Sequence, residues 1–530
     1  MTTSILITGA LHSDAISSFE QNPDFSVVYK PDCKRDDLLK LVKKTTVLVT
    51  RSETKIDKEL IDLAPDLKVI ARAAVGVGNI DVDYATDRGI LVINCPGKNT
   101  NSAAELTFAL LLSMLRKLPT AYAHLKQGGW DRHEFSGREL KGKKLGIVGL
   151  GNVGHRVAKF AHGFDMEVFA YDPYVAQDVF RRNGATRVEK LTDLASQVDI
   201  LSVHVPLNKE TRGMVDSHVI DHMKDGSYVL NAARGGICVE DDLINALDKG
   251  KLAGVALDTF ENEPEPLKKL IDHKHVWCTQ HIGASTLEAQ QLIGETIYDQ
   301  VVKAADGGVV DYPVNLPDIG IPDNSMLKAY SVLSQKLGSL IAQLIDFNPD
   351  QMEVSYRGDL ANFDTSLVRL GLMKGYAGHV VDAYVSFVNT TSHFERLGIK
   401  LIENDDPDFE SYKSAVKVVV RGDEGKTLSV GGIVFDSSIP KISLINEFYF
   451  EIDPQGLLII TENLDRPGVI GDIGHYLAKE KVNIDNFTLS RNRQGGKAMA
   501  VIRTDTDLDA EQLKKLSEIE NVVKAKAVRL

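Results

Sequence analysis

The chain has 530 residues, too many for one hydrophobic core when single domains run to about 100–200 residues, so three or four domains are expected. Its 43% hydrophobic and 25% charged residues are those of a globular protein, and no run approaches the ~20 apolar residues that span a bilayer. A formal charge of −13 with no basic stripe argues against a nucleic-acid partner, and an anionic substrate would need a local cluster of arginines.

The opening "MTTSILITGALHSD" has no basic head and no cleavage-type site, so no secretion signal is read and the cytoplasm is expected. Residues 1–98 alternate short β-rich runs, "SILIT" (4–8), "TVLVTR" (46–51), "LKVIARA" (67–73) and "ILVIN" (90–94), with helix-length polar and apolar stretches. That alternation predicts βαβ units on a parallel sheet. A helix is expected over "NSAAELTFALLLSMLRKL" (101–118), with Ser102 as N-cap and Glu105 as its capping-box partner. A second α/β series follows from Lys144 to about Ala284. "DYPVNLPDIGIPDNS" (311–325), with three prolines and two asparagines, predicts an extended linker. Residues 326 to about 453 mix helix and strand, the strands including "YKSAVKVVVRG" and "KTLSVGGIVF". From Gly456 the order strand, helix, strand, strand, helix, strand is that of a ferredoxin-like split unit. Cys33, Cys95, Cys238 and Cys278 lie far apart with no C-x-x-C pair, so reduced thiols and no metal site are expected.

The most informative stretch is "GIVGLGNVG", an apolar strand ending in Gly149-x-Gly151-x-x-Gly154 and running into a helix. Glycines at these positions allow a tight turn, close approach of backbone to a pyrophosphate and close helix–strand packing. The helix N-terminus supplies free N–H donors. A second strand, "MEVFAYD", ends in Asp172, eighteen residues after Gly154. An acidic side chain there accepts from both ribose hydroxyls and repels a 2′-phosphate, which favours NAD over NADP.

Three polar residues follow strand-like runs in the later units: Arg234 in "VLNAARGG", Glu263 in "FENEPEP" and His281 in "CTQHIGAST". In open α/β sheets ligands gather at the carboxyl ends of strands, so the three are expected at one crevice. A guanidinium can hold a carboxylate and polarise a carbonyl, an imidazole can exchange the proton, and an acid behind the imidazole supports its charged form.

Those motifs, "LGIVGLGNVG", "NAARGG", "ALDTFENEP" and "HIGAST", resemble the D-isomer-specific 2-hydroxyacid dehydrogenase family over about residues 1–310. The resemblance implies catalytic Arg234, Glu263 and His281. It also implies an α/β fold in which a discontinuous flavodoxin-like substrate domain (1–98 plus 286–312) is interrupted by an inserted Rossmann NAD domain (99–285). The chain returns to the first domain by a helix around "TLEAQQLIGETIYDQVV". An α+β intervening domain (320–453) and a ferredoxin-like ACT domain (456–530) are expected to follow. Within the family, "VTRSETK", "ARAAVGVGNID", "NSAAELT" and "GGWDRHEF" resemble the long branch that oxidises 3-phospho-D-glycerate at the head of phosphorylated L-serine biosynthesis.

By position, the resemblance assigns Arg51, Arg72 and the backbone of Val75 and Gly76 to a phosphorylated 2-hydroxy acid; the need for positive charge in an acidic chain adds Arg132 beside Arg51 at the phosphate, reaching over from a second subunit. The resemblance assigns Gly149, Gly151, Asn152, Val153, Gly154, Asp172, Val205, Ala232, Ala233, Asp258, Gly283 and Ala284 to NAD. Val75 and Val205 stand where relatives often carry Thr, so backbone contacts are expected there. "NLDRPGVIGDIGHYLAKEKVNI" resembles the start of an ACT domain, which implies an L-serine effector at Asn463, Asp465 and Asn483 and a homodimer or homotetramer. A purely structural dimerisation module is the competing reading of that segment. The competing functions are reduction of hydroxypyruvate, glyoxylate or 2-oxoglutarate, and a non-catalytic NAD-sensing protein.

Overall fold

Four sheets organise the chain in the computed structural model, which describes residues 2–305, 310–316, 325–409, 411–436 and 438–530. The first holds β1 (Thr3–Ile7), β2 (Phe25–Tyr29), β3 (Val47–Thr50), β4 (Val69–Arg72) and β5 (Leu91–Ile93). All pairs are parallel in the order β2-β1-β3-β4-β5, the flavodoxin-like order. Helices cover both faces, so the inner strands are apolar throughout; all four residues of β3 and of β4 are buried. The helix Leu287–Ala305 closes one face from the far end of the sequence. Its Ile293, Ile297 and Val301 share a core with Ile5, Ile7 and Phe19.

Between β5 and that helix lies the second sheet: β6 (Lys144–Val148), β7 (Glu167–Tyr171), β8 (Thr186–Arg187), β9 (Ile200–Val203), β10 (Ser227–Asn231), β11 (Leu252–Leu257) and β12 (Val276–Cys278). Its order β12-β11-β10-β9-β6-β7-β8 is that of a Rossmann domain with an added strand, every pair parallel. The nucleotide fingerprint comes late in the sequence because the second sheet is inserted within the first domain.

The third sheet contains β13 (Pro349–Gly358), β14 (Lys400–Asp406), β15 (Ser414–Gly422), β16 (Thr427–Phe435), β17 (Ile439–Ile445) and β18 (Phe448–Ile452), ordered β14-β13-β15-β16-β17-β18. Two helices, Ser325–Leu344 and Ser366–Val380, pack on it and on each other. Their approach is so close that a Cβ at Gly375 would stand 1.9 Å from the Gln335 carbonyl oxygen. The fourth sheet, β19 (Leu457–Leu464), β20 (Ile484–Arg491), β21 (Lys497–Thr504) and β22 (Val522–Arg529), is antiparallel in the order β20-β21-β19-β22. With its two helices it has the split βαββαβ arrangement read from the sequence. Its faces are used differently. Ile459, Ala500 and Ile502 pack under the two helices, whereas Leu458, Ile460, Met499, Val501 and Val528 join the core of the third sheet beside Val430, Ile445 and Phe448.

Three expectations need correction. β2 falls in a stretch expected to lack a strand; it is an edge strand with no buried residue, so its apolar signal is weak. The helix Thr100–Leu115 starts earlier than expected, with Asn99 at its N-cap position. Ser102 is therefore inside the helix, where its hydroxyl bonds that of Thr286 at 2.8 Å, while Glu105 accepts from Asn101. Finally, residues 311–316 are no free linker. Val314 donates to the Val92 carbonyl, Pro313 bridges Ile93, and Asn315 donates to Thr86 and Ile90 while accepting from Val92. This caps the open β5 edge. Residues 317–324 lie outside the described residues.

Among the described residues no helix is long and apolar enough to cross a membrane, and no cluster of three His, Cys, Asp or Glu is arranged to hold a metal. The four cysteines are free. Overpacking a well-filled contact costs ~1–3 kcal/mol, so Gly375→Ala is expected to lower the midpoint of the C-terminal transition in calorimetry of the full chain; an unchanged trace would refute the close contact.

Candidate active site

Strand order decides which side chains can meet. Arg234, Glu263 and His281 follow β10, β11 and β12, which are adjacent in the second sheet, so all three emerge at neighbouring carboxyl ends. His281 Nδ1 lies 2.7 Å from Glu263 Oε2. Burial alone would raise the Glu263 pKa, but the His281 hydrogen bond, the Phe260 amide (2.9 Å) and the charges of His281 and Arg234 lower it below the usual carboxylate value. Arg234 is half-buried; burial lowers its pKa and Glu263 opposes that shift.

His281 has φ of 56°, in the left-handed region, which costs a non-glycine residue on the order of 1–2 kcal/mol. Asp258, fully buried at the end of β11, offsets that cost. Its Oδ1 accepts from the Thr279 hydroxyl (2.6 Å) and the Ile282 amide (2.8 Å), and its Oδ2 from the Gly283 amide (2.8 Å). Both Asp258 oxygens are thus engaged by the loop that carries His281. Asn231 braces the neighbouring turn, accepting from Ala233 N–H and donating to the Arg234 carbonyl.

The first sheet supplies the opposing wall. Arg51 follows β3, and Arg72 ends β4. A Cβ at Gly76 would lie 3.0 Å from Arg234 Nη2, so the Val75–Gly76 loop meets the guanidinium across the two domains. Arg72 is only 6% exposed, and its Nε and Nη1 have no hydrogen-bond partner. Burial first, then the charges of Arg51 and Arg234, push its pKa down to about 10, with Glu53 opposing. Orphaned buried donors are destabilising unless an acceptor fills the site, which fits an anion there. Arg51 donates to the Ala10 carbonyl at 2.9 Å and to Gln290 Oε1; Gln290 donates in turn to Ala284 O at 2.7 Å. Arg132, by contrast, is exposed and has no hydrogen-bond or ion-pair partner among the described residues.

The dinucleotide loop has the shape its spacing demands. Gly149 has φ of +92°, and a Cβ there would strike Val205 Cγ1 at 2.6 Å; one at Gly154 would lie 2.0 Å from Gly149 O. A Cβ at Gly151 would meet nothing within 4 Å. Gly151 is the N-cap of the twelve-residue helix Asn152–Gly163 and provides no side-chain cap, so the first N–H groups remain available for a pyrophosphate. Val153 packs on the core below, and the Asn152 side chain lies by Gly97 of the other domain. Asp172 directly follows β7, accepting from Leu150 N–H (2.8 Å) and Tyr174 N–H (3.0 Å). Ala232 and Ala233 are half-buried on the turn before Arg234. These residues fit NAD.

In the fourth sheet Asn463 is buried with Oδ1 unpartnered, whereas Asp465 is already satisfied by Gly495 N–H (2.8 Å) and Arg491 (3.1 Å). The Gly495 amide, with Arg491, lowers the Asp465 pKa. Asn483 donates to Asp505 at 2.7 Å. The structure does not join these three residues directly. Sequence reading missed Glu240, Thr279, Asn231 and Gln290. Asn231 inside "NAARGG", Thr279 inside "CTQHIGAST" and Gln290 inside "TLEAQQLIGETIYDQVV" lay in informative stretches, but the roles of Thr279, Gln290 and Glu240 rest on contacts distant in sequence.

Comparison with known proteins agrees with this architecture. Residues 108–283 match the D-isomer specific 2-hydroxyacid dehydrogenase NAD binding domain, 326–446 the D-3-phosphoglycerate dehydrogenase intervening domain, and 457–521 the ACT domain. The chain is 36% identical to a D-3-phosphoglycerate dehydrogenase of Methanocaldococcus jannaschii and 34% identical to one of Bacillus subtilis, over 99% of this chain and of each relative. The Aquifex aeolicus D-lactate dehydrogenase structure complexed with NAD and lactic acid is 29% identical with a TM-score of 0.53, covering 60% of this chain and 100% of that one. The chain belongs to the D-3-phosphoglycerate dehydrogenase family of D-isomer-specific 2-hydroxyacid dehydrogenases.

Proposed function

We propose that the chain catalyses NAD-dependent oxidation of 3-phospho-D-glycerate to 3-phosphohydroxypyruvate, the first step of phosphorylated L-serine biosynthesis, in the cytoplasm. The observation that carries this reading is Arg72, buried with two unpartnered donors beside Arg51 and Arg234 in a chain of net charge −13. A substrate with anionic groups at both ends satisfies such a cluster; an acid with a single carboxylate satisfies less of it.

Bound NAD supplies the acceptor for the C2 hydride. Glu263, held ionised, is an acceptor only, so Nδ1 of His281 carries the hydrogen between them and Nε2 is the free base. Nε2 takes the C2 hydroxyl proton, and the resulting imidazolium remains paired with Glu263. Arg234 holds the carboxylate and the developing carbonyl oxygen, while Arg72 and Arg51 hold the phosphate end. Asp172 selects against a 2′-phosphate. Removing a general base typically costs ~10²–10⁴ in rate. His281→Ala is therefore expected to lose that much kcat, and Arg72→Ala to raise KM by ~10- to 100-fold. Initial rates with 3-phosphohydroxypyruvate, hydroxypyruvate and 2-oxoglutarate, each with NADH and NADPH, test the assignment. Preference for either unphosphorylated acid would move the chain to another 2-hydroxyacid reductase, and equal background in wild type and His281→Ala would make it a nucleotide-binding protein.

The ACT domain is proposed to take L-serine near Asn463, whose unpartnered Oδ1 suits an ammonium donor, with Asp465 and Asn483 on the surrounding loops. Serine titration against turnover is expected to inhibit; no inhibition at millimolar serine would leave the domain a structural module.

A homodimer or homotetramer is proposed through the helix Leu118–Lys126, which has no buried residue. Its Leu118, Tyr122 and Leu125 form one exposed stripe, continued by Trp130, which is 81% exposed. A second copy seated there would carry Arg132, two residues beyond Trp130, towards a neighbouring site. Tyr122→Asp with Trp130→Ala is expected to shift sedimentation to the monomer; an unchanged assembly would place the interface elsewhere.

A further inference from the structure

Glu263, the carboxylate that supports His281, sits on an irregular loop that needs an external anchor. Among the described residues, one hydrogen bond reaches the backbone of residues 259–266 from elsewhere in the chain: the Glu261 amide donates to Glu240 Oε1 at 2.7 Å. Glu240 is 7% exposed and opens the helix Glu240–Asp248, so its carboxylate is fixed in the first turn of a regular element. The same loop rests on the Arg234 turn, where a Cβ at Gly235 would stand 1.8 Å from the Phe260 carbonyl oxygen. Phe260 N–H then closes on Glu263 Oε1, which leaves Oε2 for His281.

We propose that Glu240 is a positioning residue: by holding the Glu261 amide it sets the loop so that Glu263 reaches His281 while Arg234 stays beneath. This rests on the roles given above to Glu263 and His281. Burial and neighbouring acids act against a carboxylate there, although its place in the first turn of a helix favours one. Burial raises its pKa, and the charges of Glu261, Asp241 and Glu263 raise it further, with the Glu261 amide opposing. The hydrogen bond is thus what the loop takes from this residue, and an amide oxygen in the same place would keep it without the repulsion.

Two variants of the full-length chain separate anchoring from charge. Glu240→Ala is expected to lower kcat about tenfold, ~1.4 kcal/mol in the barrier, with KM for both substrates within twofold, and to speed amide exchange of the 259–264 segment. Glu240→Gln, which keeps the acceptor, is expected to restore both kcat and protection. Exchange by mass spectrometry needs no turnover, so an inactive wild type would sink the proposed reaction while exchange still decides whether Glu240 anchors the loop. Unchanged kcat and exchange in Glu240→Ala, or a Glu240→Gln as impaired as the alanine variant, would overturn the proposal.

Discussion

The three hydrogen bonds that Asp258 accepts from Thr279, Ile282 and Gly283 are the constraint on which the candidate site depends. They hold His281 in a backbone conformation that a histidine seldom adopts, and they do so from the end of β11, the strand whose following loop carries Glu263. Imidazole and carboxylate are thereby fixed relative to the same strand, which is how a 2.7 Å contact forms between residues 18 apart in sequence. Asn231 does the equivalent for Arg234 on β10.

Around this rigid half the electrostatics are arranged against the overall charge. An acidic chain places Arg51 and Arg234 close enough to influence Arg72, and leaves two of Arg72's donors without a partner. Buried donors of this kind are costly without an acceptor, and an anion that accepts from them is bound favourably. The two domains supply different members of the set, which come together where Gly76 of one lies against Arg234 of the other.

Much of this was legible because strong local signals coincided. The dinucleotide loop combined glycine spacing with an apolar strand and a following helix, and the last six elements alternated clearly enough to give the βαββαβ order. What escaped had no local signature. β2 is a half-exposed edge strand; Asn315 pairs with residues more than 220 positions away; and Glu240 differs from any surface glutamate only through the Glu261 amide. The Ser102 cap failed for a related reason, since a serine facing Thr286 across two chain segments resembles a cap when only its own segment is read.

The way the ACT sheet divides its two faces has a practical consequence. Leu458, Ile460, Met499, Val501 and Val528 turn away from the ACT helices and into the core built on β13 to β18, and Lys526 donates to the Leu344 carbonyl at the end of the preceding domain's first helix. At ~1.5–3 kcal/mol for each buried apolar side chain, a stop codon placed before Leu457 would strip the neighbouring domain of a wall. Deleting the ACT segment is therefore no clean test of what that segment does, because any change in such a truncation would be inseparable from damage to the remaining protein.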